Sequence, residues 1–208
     1  MKGVGVTAKI LLGSIIIGYV LAFISGFCSL SKNIVLRTVT RFYIEIFRGT
    51  SLIVQLFWFY YALPILFGIE TGTGFWAGVL AISLNYGAYL SEVVRSSIVS
   101  VAEGQTEAAT ALNMSPFQRM RFVIFPQAFR MMLPEFGNYL ILMLKSTSLV
   151  SLIGMEDILF RGDVLRSTNL SQGPTIYLLV LIFYFILALP LIWLTKRMEK
   201  ASKKGVAS

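Results

Sequence analysis

Four stretches of this chain run for about the thickness of a bilayer without a single Asp, Glu, Lys or Arg: Ile10–Ser31, Gly49–Ile69, Thr71–Ser91 and Thr175–Thr195. Ionised groups are costly in hydrocarbon, and a helix needs roughly 20 residues to cross it, so each stretch predicts a transmembrane helix. A fifth stretch, Met131–Val150, has the length but carries Pro134, Glu135 and Lys145. It counts as a span because its apolar segment Phe136–Leu144 otherwise has no environment to enter. The chain has 208 residues, of which 56% are hydrophobic and 13% charged, more apolar surface than one soluble domain can hide. The expected fold is all-α: one polytopic membrane domain over residues 1–208, with about five spans and a polar loop at about 95–130 between the third and fourth.

Five spans leave the termini on opposite sides, and basic residues select which side is cytoplasmic. The first connection, the third connection and the C-terminal tail hold thirteen Lys and Arg, among them Arg37, Arg41, Arg48, Arg95, Arg119, Lys200 and Lys204. The opposite side holds four, Lys2, Lys9, Arg161 and Arg166, and Lys145 lies within a span. The N-terminus is therefore expected outside, with the C-terminus and the 95–130 loop in the cytoplasm. The net charge of +8 is accounted for by this orientation signal, without a nucleic-acid partner. Lys2 and Lys9 ahead of an apolar run imitate a secretion signal, but the run is long for one and Phe27–Cys28 fits a lipoprotein cleavage site poorly, so a retained first span is expected.

Several chemistries lack their parts. The sequence has no His and one Cys, Cys28, which leaves His-assisted nucleophilic catalysis and Cys/His zinc sites without ligands. No Gly-Lys dipeptide occurs, so the phosphate-cradling loop of ATP-binding proteins is missing. No metal, no cofactor and no enzymatic activity are expected of this chain; if ATP powers it, another subunit binds the nucleotide.

The 95–130 loop has a local design of its own. Glu103–Leu112 is rich in helix formers, with Ala108, Ala111 and Leu112 spaced to share one face. Asn113 can end that helix in the left-handed conformation. A second helix then begins at once, with Ser115 as N-cap, Pro116 in first position and Gln118 as capping-box partner. The small Ala108 and Ala109 permit close approach to a partner groove, and Glu107 offers a carboxylate to a basic residue there. A helix merely resting on the membrane, anchored by Phe117, Met120 and Phe122, is the competing reading.

Glu107, Ala108 and Ala109, then three residues, then Asn113 in a position usually taken by Gly, resemble the cytoplasmic signature of permease subunits of ATP-binding cassette importers. Further residues are similar to permeases for polar amino acids. They are Glu45, Phe47, Arg48, Gly49, Thr50 and Gln55, then Ala88, Tyr89, Glu92 and Arg95, then Gly104 and Gln105, then Pro126, Gln127, Ala128, Arg130 and Pro134, and finally Lys145, Thr147, Ser148 and Leu149. Ser51 stands where the family usually has Pro. The resemblance implies a coupling set of Gly104, Gln105, Glu107, Ala108, Ala109, Leu112 and Asn113. It also implies a second permease subunit, identical or related, and cytoplasmic ATPase subunits holding ATP and Mg. An external solute-binding protein and a prokaryotic plasma or inner membrane complete what it implies. The substrate would be a polar L-amino acid, cationic (arginine, lysine or histidine) or glutamine.

Within the spans and outside them, further polar groups carry two readings each. Lys145 either snorkels outwards or joins Thr147 and Ser148 along a substrate pathway. Outside, Glu156, Asp157 and Asp163 alternate with Arg161 and Arg166 as either a solvated segment or a mouth, with Glu156 and Asp163 the candidate acceptors for a cation. Pro134 is placed to hinge the fourth span, and Pro64 and Pro190 to kink or end theirs. Glu92 and Glu45 are spaced to pair with Arg95 and Arg48 at i+3. Two other classes stay open: an ion-coupled secondary transporter using Glu135 and Lys145, and a non-transporting protein whose basic tail binds anionic membrane lipid.

Overall fold

The computed structural model describes residues 2–68 and 74–203. Ile69 and Thr71, at the ends of two expected spans, and Lys204 of the basic tail lie outside the described residues. Eight main helices follow one another among the described residues: α1 (Lys2–Ser29), α2 (Ile34–Gly49), α3 (Leu52–Phe67), α4 (Gly74–Val99), α5 (Glu103–Ala111), α6 (Pro116–Ile153), α7 (Ile158–Thr168) and α8 (Gly173–Lys203). There is no strand among the described residues. Four of the helices, α1, α4, α6 and α8, are long and apolar enough to cross a membrane; α2 and α3 together make up the fifth candidate.

The stretch expected as the Gly49–Ile69 span contains α3, and α2 lies in the connection before it. The chain turns by 106° between α2 and α3, through Thr50 and Ser51 in extended conformation. With 16 residues, α3 is about 24 Å long. The corner frees backbone carbonyls inside an apolar region, where each must be satisfied by the protein. Two buried amides do so. Gln55 Nε2 donates to Phe47 O (3.0 Å) and Thr50 Oγ1 (2.7 Å), while Asn85 Nδ2 donates to Phe47 O (2.8 Å) and to Gln55 Oε1 (3.1 Å).

Proline accounts for two further irregularities. In α3 the backbone widens to a π turn at Trp58–Ala62, with Leu63 N–H bonded to Trp58 O, immediately before Pro64. In α6 the same happens at Arg119–Ile124, with Phe125 N–H bonded to Met120 O, immediately before Pro126. Proline has no N–H for the carbonyl four residues back and its ring crowds that carbonyl, so one extra residue per turn relieves the clash. Pro134 and Pro190 behave differently. The helix runs continuously through both, so Pro190 does not end its span.

The core is built around α4, 67% of whose apolar window is buried, against 6% for α8. α1 and α4 run parallel and close, Gly13 meeting Val79 and Gly26 meeting Val94. A Cβ on Gly26 would sit 2.6 Å from the Val94 side chain, so only a missing side chain permits this approach. α6 covers the same core, placing Met132 and Phe136 against Leu90 and Val94. α8 packs antiparallel on α6, its Thr195 against Gly137, and presents Leu178, Leu181 and Phe185 outwards, as a lipid-facing helix does. The helices thus group the ends of α1, α4, α6 and α8 so that α2 and α5 share one end of the bundle and α7 lies at the other.

Candidate functional site

The polar loop folds as its residues predict. α5 spans Glu103–Ala111 and closes at Asn113, which has φ 55° and is the only non-glycine residue with positive φ among the described residues. Its backbone bonds define the corner: Asn113 N–H reaches Thr110 O (2.9 Å) and Met114 N–H reaches Ala109 O (3.1 Å), the paired bonds of a Schellman termination. The next helix starts with a complete capping box, Ser115 Oγ accepting from Gln118 N–H and Gln118 Oε1 accepting from Ser115 N–H (2.8 Å), with Pro116 in the first turn.

Side chains then fasten α5 to α6. Arg119 Nη1 donates to Thr110 Oγ1 (2.5 Å), and Gln127 Nε2 donates to Gln105 Oε1 (3.2 Å) and Val123 O (2.9 Å). Ala109 is 3% exposed and belongs to this internal seam; the expectation that it faces a partner groove is corrected, because its methyl is covered by its own chain. Gly104, Gln105, Glu107, Ala108, Ala111 and Asn113 are exposed, and Leu112 is 74% exposed. Glu107 forms no ion pair among the described residues. α5 is therefore a short helix with a small-residue outer face, two exposed carboxylates (Glu103 and Glu107) and a protruding leucine after its last turn, fastened to a membrane-length helix. Such a surface can transmit force; it offers no group to make or break a bond.

Residues 14–204 match the family described as the binding-protein-dependent transport system inner membrane component. A probable amino-acid ABC transporter permease of Sinorhizobium fredii is 45% identical over 204 residues, covering 96% of this chain and 85% of that protein. The arginine transport system permease ArtQ of Bacillus subtilis is 34% identical, covering 99% and 93%. A crystal structure of an amino acid ABC transporter with histidines superposes with a TM-score of 0.87 at 34% identity, over 96% of this chain and 92% of that one. The chain belongs to this family of ABC permeases.

The other candidate residues of the permease are distributed unevenly. Lys145 is exposed on α6, ten residues beyond the exposed Glu135, about 15 Å along the same helix, so the two do not form one ion site. Thr147 is fully buried and its hydroxyl donates to Leu144 O (2.7 Å); Ser148 Oγ donates to Lys145 O (2.7 Å). Glu156 pairs with Arg161, and Asp163 with Arg166 (3.3 Å) and with the hydroxyl of Tyr177 (2.6 Å). Glu92 pairs with Arg95 as expected, but Glu45 pairs with Arg41 (3.7 Å) and not Arg48, whose guanidinium lies over the Tyr89 ring.

Sequence reading missed Asp157 as a structural centre. It is fully buried, caps α7 by accepting from Phe160 N–H (2.8 Å), and accepts from the Tyr184 hydroxyl (2.9 Å). Its backbone carbonyl also packs against Gly3 of α1. Burial raises the Asp157 carboxyl above its ordinary value, opposed by these hydrogen bonds. The available signal was an Asp one residue before an apolar helix start.

Proposed function

We propose that this permease is one of two subunits forming the translocation pathway of an importer for a polar L-amino acid, and that α5 is where a cytoplasmic ATPase drives it. The observation that carries this reading is the exposed α5 with Glu107 unpartnered, stapled to α6 through Thr110, Arg119, Gln105 and Gln127. A helix lying in a groove of the ATPase would move as that subunit closes on ATP, and the staples pass the displacement to α6. The core around α4 then rocks as a body, changing which end of the pathway is open. ATP and Mg belong to the ATPase, and an external binding protein delivers the solute at the α7 end.

The proposed orientation puts the N-terminus outside and the C-terminus in the cytoplasm, supported by the basic residues gathered at the α2 and α5 end. For the solute, the cationic reading rests on Glu156 and Asp163, each of which an incoming cation would have to take from an arginine partner. The chain performs no covalent chemistry.

Co-reconstitution with the ATPase in proteoliposomes tests the reading. ATP-dependent uptake of arginine or glutamine is expected with the native chain, and Glu107→Lys should abolish it while the subunit still inserts. A lost charge partner at such an interface costs about 2–5 kcal/mol, enough to uncouple two subunits. Native uptake by the variant would remove α5 from the drive. For specificity, Asp163→Asn should reduce arginine uptake more than glutamine uptake; equal loss of both would leave the 156–166 segment as solvated structure.

A further inference from the structure

Helix α6 carries an open stripe through its membrane-length stretch. Met131, Glu135, Asn138, Leu142 and Lys145 are all exposed and recur every three or four residues, which places them on one side of the helix. Tyr139 and Ser146 edge the same side and join it to α4. The Tyr86 hydroxyl and Ser146 Oγ are 2.6 Å apart, and the Tyr139 ring centroid lies 6.0 Å from that of Tyr86 and 6.2 Å from that of Tyr89. Tyr86 and Tyr89 fall near the midpoint of α4, so these rings sit at mid-membrane depth if α4 crosses it. Glu135 and Lys145 form no ion pair among the described residues.

Ionised side chains on an open helix face inside a membrane belong against water or another polar surface, not hydrocarbon. The outward faces of α1 and α8 are instead apolar, with Leu12, Ile16, Leu178 and Leu181 exposed. Dry packing of the stripe on its counterpart in a second copy is also unfavourable. Two copies inserted alike around a twofold axis along the membrane normal set Glu135 level with Glu135 and Lys145 level with Lys145, like charge to like. The stripe suits a solute whose anionic and cationic groups lie apart along it. We infer that it contacts the transported amino acid, Lys145 pairing with the α-carboxylate, Glu135 with a cationic side-chain end, and Tyr139 lying along the stem between them. The backbones of Glu135 and Lys145 are about 15 Å apart along the helix, and both side chains reach into that interval, so an extended arginine or lysine bridges it. The Tyr139 ring also favours a guanidinium over its face, just as the Arg48 guanidinium lies over Tyr89, 5.3 Å from its centroid. Glutamine, with no distal cation, engages Lys145 but leaves Glu135 unpaired. This assignment rests on the amino-acid import proposed above; it is independent of how α5 couples and of the 156–166 segment.

Solute protection of a cysteine in the stripe tests the inference in the complete importer, reconstituted in proteoliposomes. In a Cys28→Ser background, Asn138→Cys should react with a small thiol reagent, and arginine should slow that reaction. Citrulline, the uncharged counterpart of arginine, and agmatine, which lacks the carboxylate, should each need about tenfold higher concentration, the effect of losing one charge contact. Adding Glu135→Gln should erase the preference for arginine over citrulline, and Glu135→Asp should keep it. Adding Lys145→Met should erase the preference for arginine over agmatine. An unreactive cysteine, equal protection by the three solutes, or a preference over citrulline that survives Glu135→Gln would overturn the assignment. If Glu135→Gln does not assemble, the three-solute comparison in Asn138→Cys alone decides. Arginine uptake in vesicles holding the native chain separates the two readings. Uptake without protection removes the stripe alone, whereas no uptake of any amino acid removes the importer reading and the stripe with it.

Discussion

Asn113 shows how a single backbone conformation shapes the corner between α5 and α6. With φ at 55°, it lets α5 stop and the next helix begin three residues later, at Pro116. Asn113→Gly should leave stability within about 0.5 kcal/mol of native, because Gly takes this conformation without strain but loses more backbone entropy. Asn113→Val should cost about 1–3 kcal/mol, since a β-branched residue resists positive φ. Thermal unfolding of the purified chain and ATPase-dependent uptake read the two effects, and native uptake by the valine variant would detach the corner from coupling. Asp157 supports a pH test. Because burial raises its folded carboxyl above the ordinary value of 3.8, its contribution to stability is fully present below that value and is lost as pH rises through the folded value. Lowering the pH from 7 towards 3.8 should therefore destabilise the native chain less than Asp157→Asn, in which this proton uptake is gone. Indistinguishable pH responses in the two proteins would show that the carboxyl titrates normally.

Elements hold together here through polar atoms placed where helices break. The α2–α3 corner depends on Gln55 and Asn85, which share Phe47 O and each other. Gln55→Leu or Asn85→Leu alone should destabilise by about 1–3 kcal/mol, by leaving buried polar groups without partners. The double variant should cost less than the sum, because the two amides belong to one network. A strictly additive cycle, measured by thermal or denaturant unfolding in micelles, would mean that they act separately. The π turn at Arg119–Ile124 sits between the capping box and the continuous part of α6, so it sets the direction in which α5 projects from its span.

For the whole molecule, the alternation of helix directions places α7 at one end of the bundle and α2 and α5 at the other. The proposed orientation, drawn from the basic asymmetry, has its own test. In a Cys28→Ser background, Ser171→Cys should react with an impermeant thiol reagent added outside intact cells, whereas Ala201→Cys should be protected until the membrane is opened. The reverse pattern would invert the permease and place α5 away from any cytoplasmic ATPase. The apolar exterior of α8 is consistent with lipid as its environment, and it accounts for much of the hydrophobic surplus that composition alone reveals.

The all-α class, the presence of four to five membrane-length apolar elements and the helix–corner–helix of the 95–130 loop were legible because each is a local property. Hydrocarbon excludes charge from any run that crosses it, and caps act within a few residues, so Asn113, Ser115 and Gln118 declare their roles in the sequence. The π turns carried a local cue, Pro64 and Pro126, but proline does not say whether a helix will widen, bend or continue, as Pro134 and Pro190 demonstrate by continuing. The tertiary structure decided the rest. It set α2 at a sharp corner to the second apolar run, where carbonyls freed at the break are satisfied by amides 5 to 38 residues away in the chain. It covered Ala109 and Thr147, which sequence treats as available, and buried Asp157 beneath Tyr184. Burial and hydrogen-bond partnership depend on which helices meet, and residues distant along the chain determine that.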